Sequence, residues 1–186
     1  MSRYRLLLLN CTKKSQPNEV EFLSQFIEMM RQRYHKSIEY EAVNVNTKRE
    51  FKKQIQRTWP NIIHIAAHGD SKLYPSGNRG KETSIEIGNR SISSKEIAKL
   101  RENPVKLVFI SACLNSYKDM ADAFLDRGAE KFIAPKTDVE WVHAALFSAT
   151  FYRRYVYDRT SFEASFSFAQ EHTRLRKDFP EYWYNP

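Results

Sequence analysis

Apolar residues along this chain follow two different periods, and the two alternate from the first strand onward. Residues 4–10 hold Leu6, Leu7, Leu8 and Leu9 with no polar break, the pattern of a strand covered on both faces. Over 17–34 the period changes. Val20, Leu23, Phe26, Ile27 and Met30 recur at helical spacing, with Pro17 and Asn18 near the start. Residues 38–45 alternate again, Ile38, Tyr40, Ala42 and Asn44 against Glu39, Glu41, Val43 and Val45. Thr47, with Glu50 three residues later, reads as a capping box opening a helix to about Trp59, and Pro60 closes it. A third strand comes next over 61–70, an apolar run that ends on His68 and Gly69.

Residues 71–83 break the pattern with Pro75, Gly77, Gly80 and charges, a connecting loop with few apolar anchors. Two short strand-like pieces, 84–87 and 90–92, flank Gly88-Asn89 and read as a small hairpin appended to the sheet. Ser93 or Ser94 caps a helix to about residue 100. The most apolar strand comes next: Val105 to Ile110, then Ser111-Ala112-Cys113-Leu114-Asn115. A helix over 118–127 is stopped by Gly128, a fifth strand spans 131–135, and helices cover 140–157 and 162–175. The aromatic tail, Phe179 to Tyr184, reads as packed against the body.

The order is βαβαβ, a hairpin, then αβαβαα, with neither repeat nor domain boundary. This predicts one α/β domain over 1–186: a doubly wound, mainly parallel sheet with helices on both faces and a small hairpin insertion. Right-handed crossovers allow the strand order 2-1-3-4-5. In that order the third and fourth major strands are neighbours, and His68 and Cys113 share the carboxyl edge where such sheets place their sites.

Composition changes this picture little. The chain is 41% hydrophobic and 13% aromatic, which argues against disorder. A net charge of +8 raises the possibility of an anionic partner such as nucleic acid. The basic residues are scattered, however, with no block of like charge. Two cysteines, Cys11 and Cys113, make no disulfide framework and suit a reducing cytoplasm. The apolar run after Arg5 is too short for a secretory signal, and no segment approaches a membrane span.

The candidate chemistry is a nucleophile with a base. A thiolate is the reactive form of cysteine, so Cys113 needs a proton acceptor. His68 is the side chain suited to that task near neutral pH. His64, His68 and Asp70 lie at alternate positions and resemble part of a metal site, but His64 falls mid-strand in an apolar run and reads as a core histidine. His35, His143 and His172 are isolated on helical segments. Cys11 ends the first strand beside the His68 strand and reads as part of the site wall.

His-Gly after one strand and Ser-Ala-Cys after the next, 45 positions apart (113 − 68), resemble the dyad of caspase-like cysteine peptidases. The contexts His64-Ile65-Ala66-Ala67-His68-Gly69 and Ser111-Ala112-Cys113-Leu114-Asn115 are more similar to the CHAT peptidases than to caspases proper. The downstream pieces agree in order: 123–129, Phe132-Ile133-Ala134-Pro135, Phe151-Tyr152, Phe162-Glu163-Ala164 and Ala169. The resemblance runs from the first strand to about residue 175. It implies a caspase-like fold and a cysteine endopeptidase with His68 and Cys113 as catalytic residues. It also implies an oxyanion hole from the backbone N–H groups of Gly69 and Cys113, and neither metal nor cofactor. The partners implied are a protein or peptide substrate and an activating protein, in a cytoplasmic setting of bacterial stress, defence or cell-death signalling.

In such folds the pocket for the residue before the cleaved bond is built by the loops after the first and fifth strands, here 10–14 and 135–141. Asn10, Cys11, Asp138 and Glu140 are the candidates to line it. Asp138 and Glu140 suit a basic side chain, as acidic residues do in the separase branch; Lys13, Lys14 and Lys136 suit an acidic one. Two other classes of function remain open: a catalytically silent caspase-like interaction module, and a basic domain that binds nucleic acid. The helix over 118–127 offers no extended segment for activating cleavage after Cys113. Activation is therefore expected through a partner that orders 71–83 and the rim after Pro135.

Overall fold

The structure is a computed structural model that describes residues 4–12, 19–34, 38–69, 83–112, 117–136, 139–173 and 181–185. Cys113, Asp138, Lys13 and Lys14 lie outside these residues, as does the segment 70–82. A six-stranded sheet forms the centre. Its strands are β1 (Tyr4–Asn10), β2 (Ile38–Asn44), β3 (Ile62–Ala66), β6 (Leu107–Ser111), β7 (Phe132–Pro135) and β8 (Tyr182–Tyr184). The order is β2-β1-β3-β6-β7-β8. The first five strands keep the expected order 2-1-3-4-5 and pair in parallel. The sixth, β8, is an addition: the aromatic tail turns antiparallel onto β7. At three residues β8 is too short to show a clear period, yet its alternation is that of a strand. Tyr182 faces one side of the sheet and Trp183 the other.

Continuous apolar runs became the central strands because both faces are covered. Leu7, Leu9, Ile63, Ile65, Val108 and Ile110 point to one layer, and Leu6, Leu8, Ile62, Leu107 and Phe109 to the other. The first layer is closed by α2 (Lys48–Ile55), α3 (Ser94–Ala98) and α4 (Tyr117–Leu125). The second is closed by α1 (Glu19–Tyr34), α5 (Trp141–Tyr152) and α6 (Phe162–His172). Val108, Phe109 and Ile110 are all within 1% of complete burial, as a central strand requires.

Local signals explain most boundaries. Thr47 and Glu50 form the expected capping box at α2, and Ser93 with Glu96 repeats it at α3. Gly128 closes α4 at φ +94. Its N–H donates to Leu125 O and the next N–H to Phe124 O, a Schellman motif.

Two helices end before the sequence pattern does. α2 stops at Ile55, not near Trp59, because tertiary partners claim the residues at its end. The Asn103 amide donates to the carbonyls of Ile55 and Arg57, and the Arg57 guanidinium grips Glu41. The helix expected over 140–157 is α-helical only to Tyr152, then widens into a π-helical turn, Arg153–Tyr157. The Tyr157 hydroxyl there donates to Ile27 O across the layer, at 3.1 Å.

The hairpin is present as β4 (Ser84–Ile87) and β5 (Arg90–Ser93). It makes a separate two-stranded sheet instead of extending the main one. It is tied to the body by a bridge between Ile85 and Gly69 and by the burial of Ile85, Ile87 and Ile92.

Candidate functional site

β3 and β6 run side by side in parallel, with Ile62 opposite Leu107 and Ala66 opposite Ser111. The pairing persists past the strands: the Ala67 N–H donates to Ser111 O at 3.1 Å. On the other side of β3, the Cys11 N–H donates to Ala66 O at 2.8 Å. The ends of β1, β3 and β6 therefore form one continuous edge, and His68 stands on it. His68 is exposed, two residues beyond β3, while Gly69 beside it is buried.

The His68–Gly69 backbone is held from outside the sheet. The Glu86 N–H donates to His68 O at 2.8 Å, within the antiparallel bridge of Gly69 to Ile85. This bridge uses the His68 carbonyl and leaves the Gly69 N–H outside it. Sequence reading placed the hairpin on the sheet without a role; in the structure it braces the histidine. The missed signal is the apolar triplet Ile85, Ile87 and Ile92, all fully buried, which fixes the hairpin against the α2 and α3 layer.

The remaining rim candidates divide. Asn10 is 4% exposed, and its side chain is engaged. Its amide nitrogen donates to Asn44 Oδ1, and its oxygen accepts from the N–H and hydroxyl of Thr12. It shapes the turn after β1. Cys11 is buried in the α2-side core, and burial pushes its thiol up to about 12. It is a neutral core residue, far from thiolate character. Glu140 is exposed and precedes α5, where its carbonyl accepts from the N–H groups of His143 and Ala144. Lys136 is paired with Glu181 at 2.9 Å, so its charge is already answered.

His64 is fully buried, as expected of a core histidine. Its Nδ1 lies 3.0 Å from the Tyr152 hydroxyl. Its Nε2 lies 3.2 Å from Glu19 Oε1, off the line of a hydrogen bond. Glu19 was not foreseen: as the acid opening an amphipathic helix it reads as a surface residue, and it is buried at 3% exposure. Among the described residues, no group of three or more His, Cys, Asp or Glu side chains is placed to hold a metal ion. No helix among them is long and apolar enough to cross a membrane.

Comparison with known proteins fits this architecture. The chain superimposes on the separase of the Saccharomyces cerevisiae separase–securin complex with a TM-score of 0.58 at 17% identity. The match covers 98% of this chain and 11% of that one. The likeness is one of fold, the caspase-like one. No curated protein matches in sequence. The profile of the CHAT domain, however, matches residues 12–183, from just past β1 into β8, and on that span the chain belongs to the CHAT-domain family.

Proposed function

We propose that this chain is a cysteine endopeptidase domain, spanning 1–186, that cleaves protein substrates with a dyad of His68 and Cys113. One observation carries the proposal. The β3–β6 ladder pairs residues 45 apart (Ala66 with Ser111), and His68 and Cys113 are also 45 apart (113 − 68). In sequence, His68 and Cys113 thus stand at the same offset, two residues past the paired ends of β3 and β6. Family membership and the likeness to separase support the same chemistry.

In that chemistry the Cys113 thiol gives its proton to His68, and the sulfur attacks the scissile carbonyl carbon. The oxyanion formed is met by backbone N–H donors, with Gly69 the candidate on the histidine side. Collapse of the intermediate breaks the C–N bond, and the imidazolium protonates the departing amine. Water then adds to the thioester as His68 takes its proton. The acid leaves, and the thiol is restored.

Substrate selection falls to the rim around Glu140 and Asp138, and control to a protein partner. The yeast separase, held in a complex with securin, supports regulation by a partner. The setting that goes with this reading is the cytoplasm of a cell using proteolysis in stress, defence or death signalling.

The test is labelling by a peptidyl acyloxymethyl ketone. Wild type should be modified at Cys113, while His68→Ala should slow modification by about 100-fold or more. Cys113→Ala should have no measurable turnover, and the double variant should be little worse than either single one. Turnover in Cys113→Ala, or equal labelling with and without His68, would refute the dyad, and wild type that neither turns over nor is labelled would favour the interaction-module reading.

A further inference from the structure

The layer between the sheet and helices α1 and α5 is built of leucines, isoleucines and aromatic rings, yet a carboxylate lies within it. Glu19 Oε1 accepts from the hydroxyls of Ser148, at 2.5 Å, and Ser111, at 3.1 Å. The same oxygen is the one facing His64 Nε2. Burial, and then the charge of Glu19, push the Tyr152 phenol well above its ordinary range, so its hydroxyl keeps its hydrogen. Donation of that hydrogen to His64 Nδ1 places the ring hydrogen on Nε2, toward the carboxylate. The Tyr152 hydroxyl, the two serine hydroxyls and Glu19 Oε1 are then hydrogen-bonded within the group, and His64 Nε2 faces that same oxygen without a hydrogen bond.

The five residues come from four elements, and each element leads to the candidate site. His64 is on β3, four residues before His68. Ser111 is the last residue of β6, two before Cys113. Glu19 opens α1, which comes after the rim segment beyond β1, and Ser148 and Tyr152 are on α5, which comes after the rim beyond β7.

Stability alone gives little reason for the arrangement. Desolvating a carboxylate cancels much of what its partners return, and apolar replacements at such positions are often neutral or stabilising. What a buried polar network supplies is a fixed arrangement of its members. We infer that Glu19 is a positioning residue for the peptidase site. It holds the end of β6 against β3, which sets the approach of Cys113 to His68, and it ties both strands to the two helices that leave the rim. The inference rests on the dyad reading, and its test separates the two.

The full chain is titrated with the same peptidyl acyloxymethyl ketone as wild type, Glu19→Gln, Ser148→Ala and His68→Ala. The maximal inactivation rate, the probe concentration at half-maximal rate, the labelled fraction and the melting temperature are read for each. Glu19→Gln should lower the maximal rate by about 10- to 100-fold, with the half-maximal concentration and labelled fraction close to wild type. Ser148→Ala should do the same to a smaller degree. A purely structural role would lower the labelled fraction or the melting temperature and leave the maximal rate of the folded molecules intact. If Glu19→Gln does not fold, Ser148→Ala carries the test, and a wild-type rate there overturns the inference. A wild-type rate in folded Glu19→Gln, with His68→Ala still slow, overturns the inference and leaves the dyad standing. Wild type labelled no faster than His68→Ala removes the dyad, and the positioning role falls with it.

Discussion

Phe109 is the residue on which the central strand can be tested most severely. It is fully buried on β6. Its ring has aromatic neighbours on β3, on β8 beyond β7, and on the helix α5. Centroid distances are 4.8 Å to His64, 5.9 Å to Phe147 and Tyr182, 6.1 Å to Tyr152 and 6.2 Å to Phe151. Truncating a buried Phe to Ala costs about 3–5 kcal/mol in transfer energy and cavity. The edge-to-face contacts with Phe147, Phe151 and Tyr182 add to simple area burial, which places Phe109→Ala at the upper end, about 4–5 kcal/mol. In a domain of this size each kcal/mol moves the melting temperature by about 2–4 °C, so a fall of about 10 °C or more is expected. Phe109→Leu, which keeps most of the volume, should cost about 1 kcal/mol. Phe22→Ala is the control, since Phe22 is 39% exposed on α1 and should stay within about 0.5 kcal/mol of wild type. Urea unfolding monitored by tryptophan fluorescence gives the three values, and an unchanged m-value shows that they are stability changes. If Phe109→Ala costs no more than Phe22→Ala, β6 is not the central strand, and the argument joining His68 to Cys113 through the β3–β6 register collapses.

Three further outcomes are expected. Gly88→Ala should destabilise by about 1–2 kcal/mol in the same assay, because Gly88 has φ +60 and an added Cβ would lie 2.6 Å from Asn46 O; wild-type stability would mean the hairpin turn is built differently. Hydrogen bonding to Lys48, foremost, and to Lys52 holds the Glu96 carboxyl below its ordinary range. A folded-state value lowered in this way contributes stability above the ordinary carboxylate range near pH 4.3 and loses it as pH falls through the lower folded value. Glu96→Gln should therefore flatten the acid limb of a stability-against-pH curve, by a small amount because the pair is about one-third exposed, and an identical limb would contradict the pairing. Cys11, with its thiol pushed up to about 12, should resist iodoacetamide at pH 8 in the native protein and react only on unfolding; rapid native labelling found by mass spectrometry would place it on the surface.

The fold was legible where one period ran unbroken. The leucines of β1 and the runs Ile62-Ile63 and Leu107 to Ile110 announce buried strands, and Thr47 with Glu50 announces a helix start. Pattern failed where a distant partner decides the outcome. Nothing near Gln56 says that Asn103 will take the carbonyls of Ile55 and Arg57 at the end of α2, and nothing near Tyr152 says that the helix will widen. The candidate site was legible in the same uneven way. His68 and its glycine could be read from strand ends, and the core role of His64 from its apolar flanks. Glu19 could not, since the residues that answer its charge come from β3, β6 and α5. Asn10 shows the reverse case: a polar residue at a strand end reads as a rim contact, and in the structure its amide is spent on Asn44 and Thr12.

The short strand β8 also bears on how copies of this protein meet. A parallel sheet with an open outer strand offers a row of unpaired N–H and C=O groups to any other extended chain. On the β7 side that row is occupied by Tyr182, Trp183 and Tyr184, and the new edge is only three residues long. On the far side the outer strand is β2, whose Glu41 is already held by the Arg57 guanidinium. Among the described residues the sheet is thus capped at one margin, and growth by strand addition is confined to the β2 side.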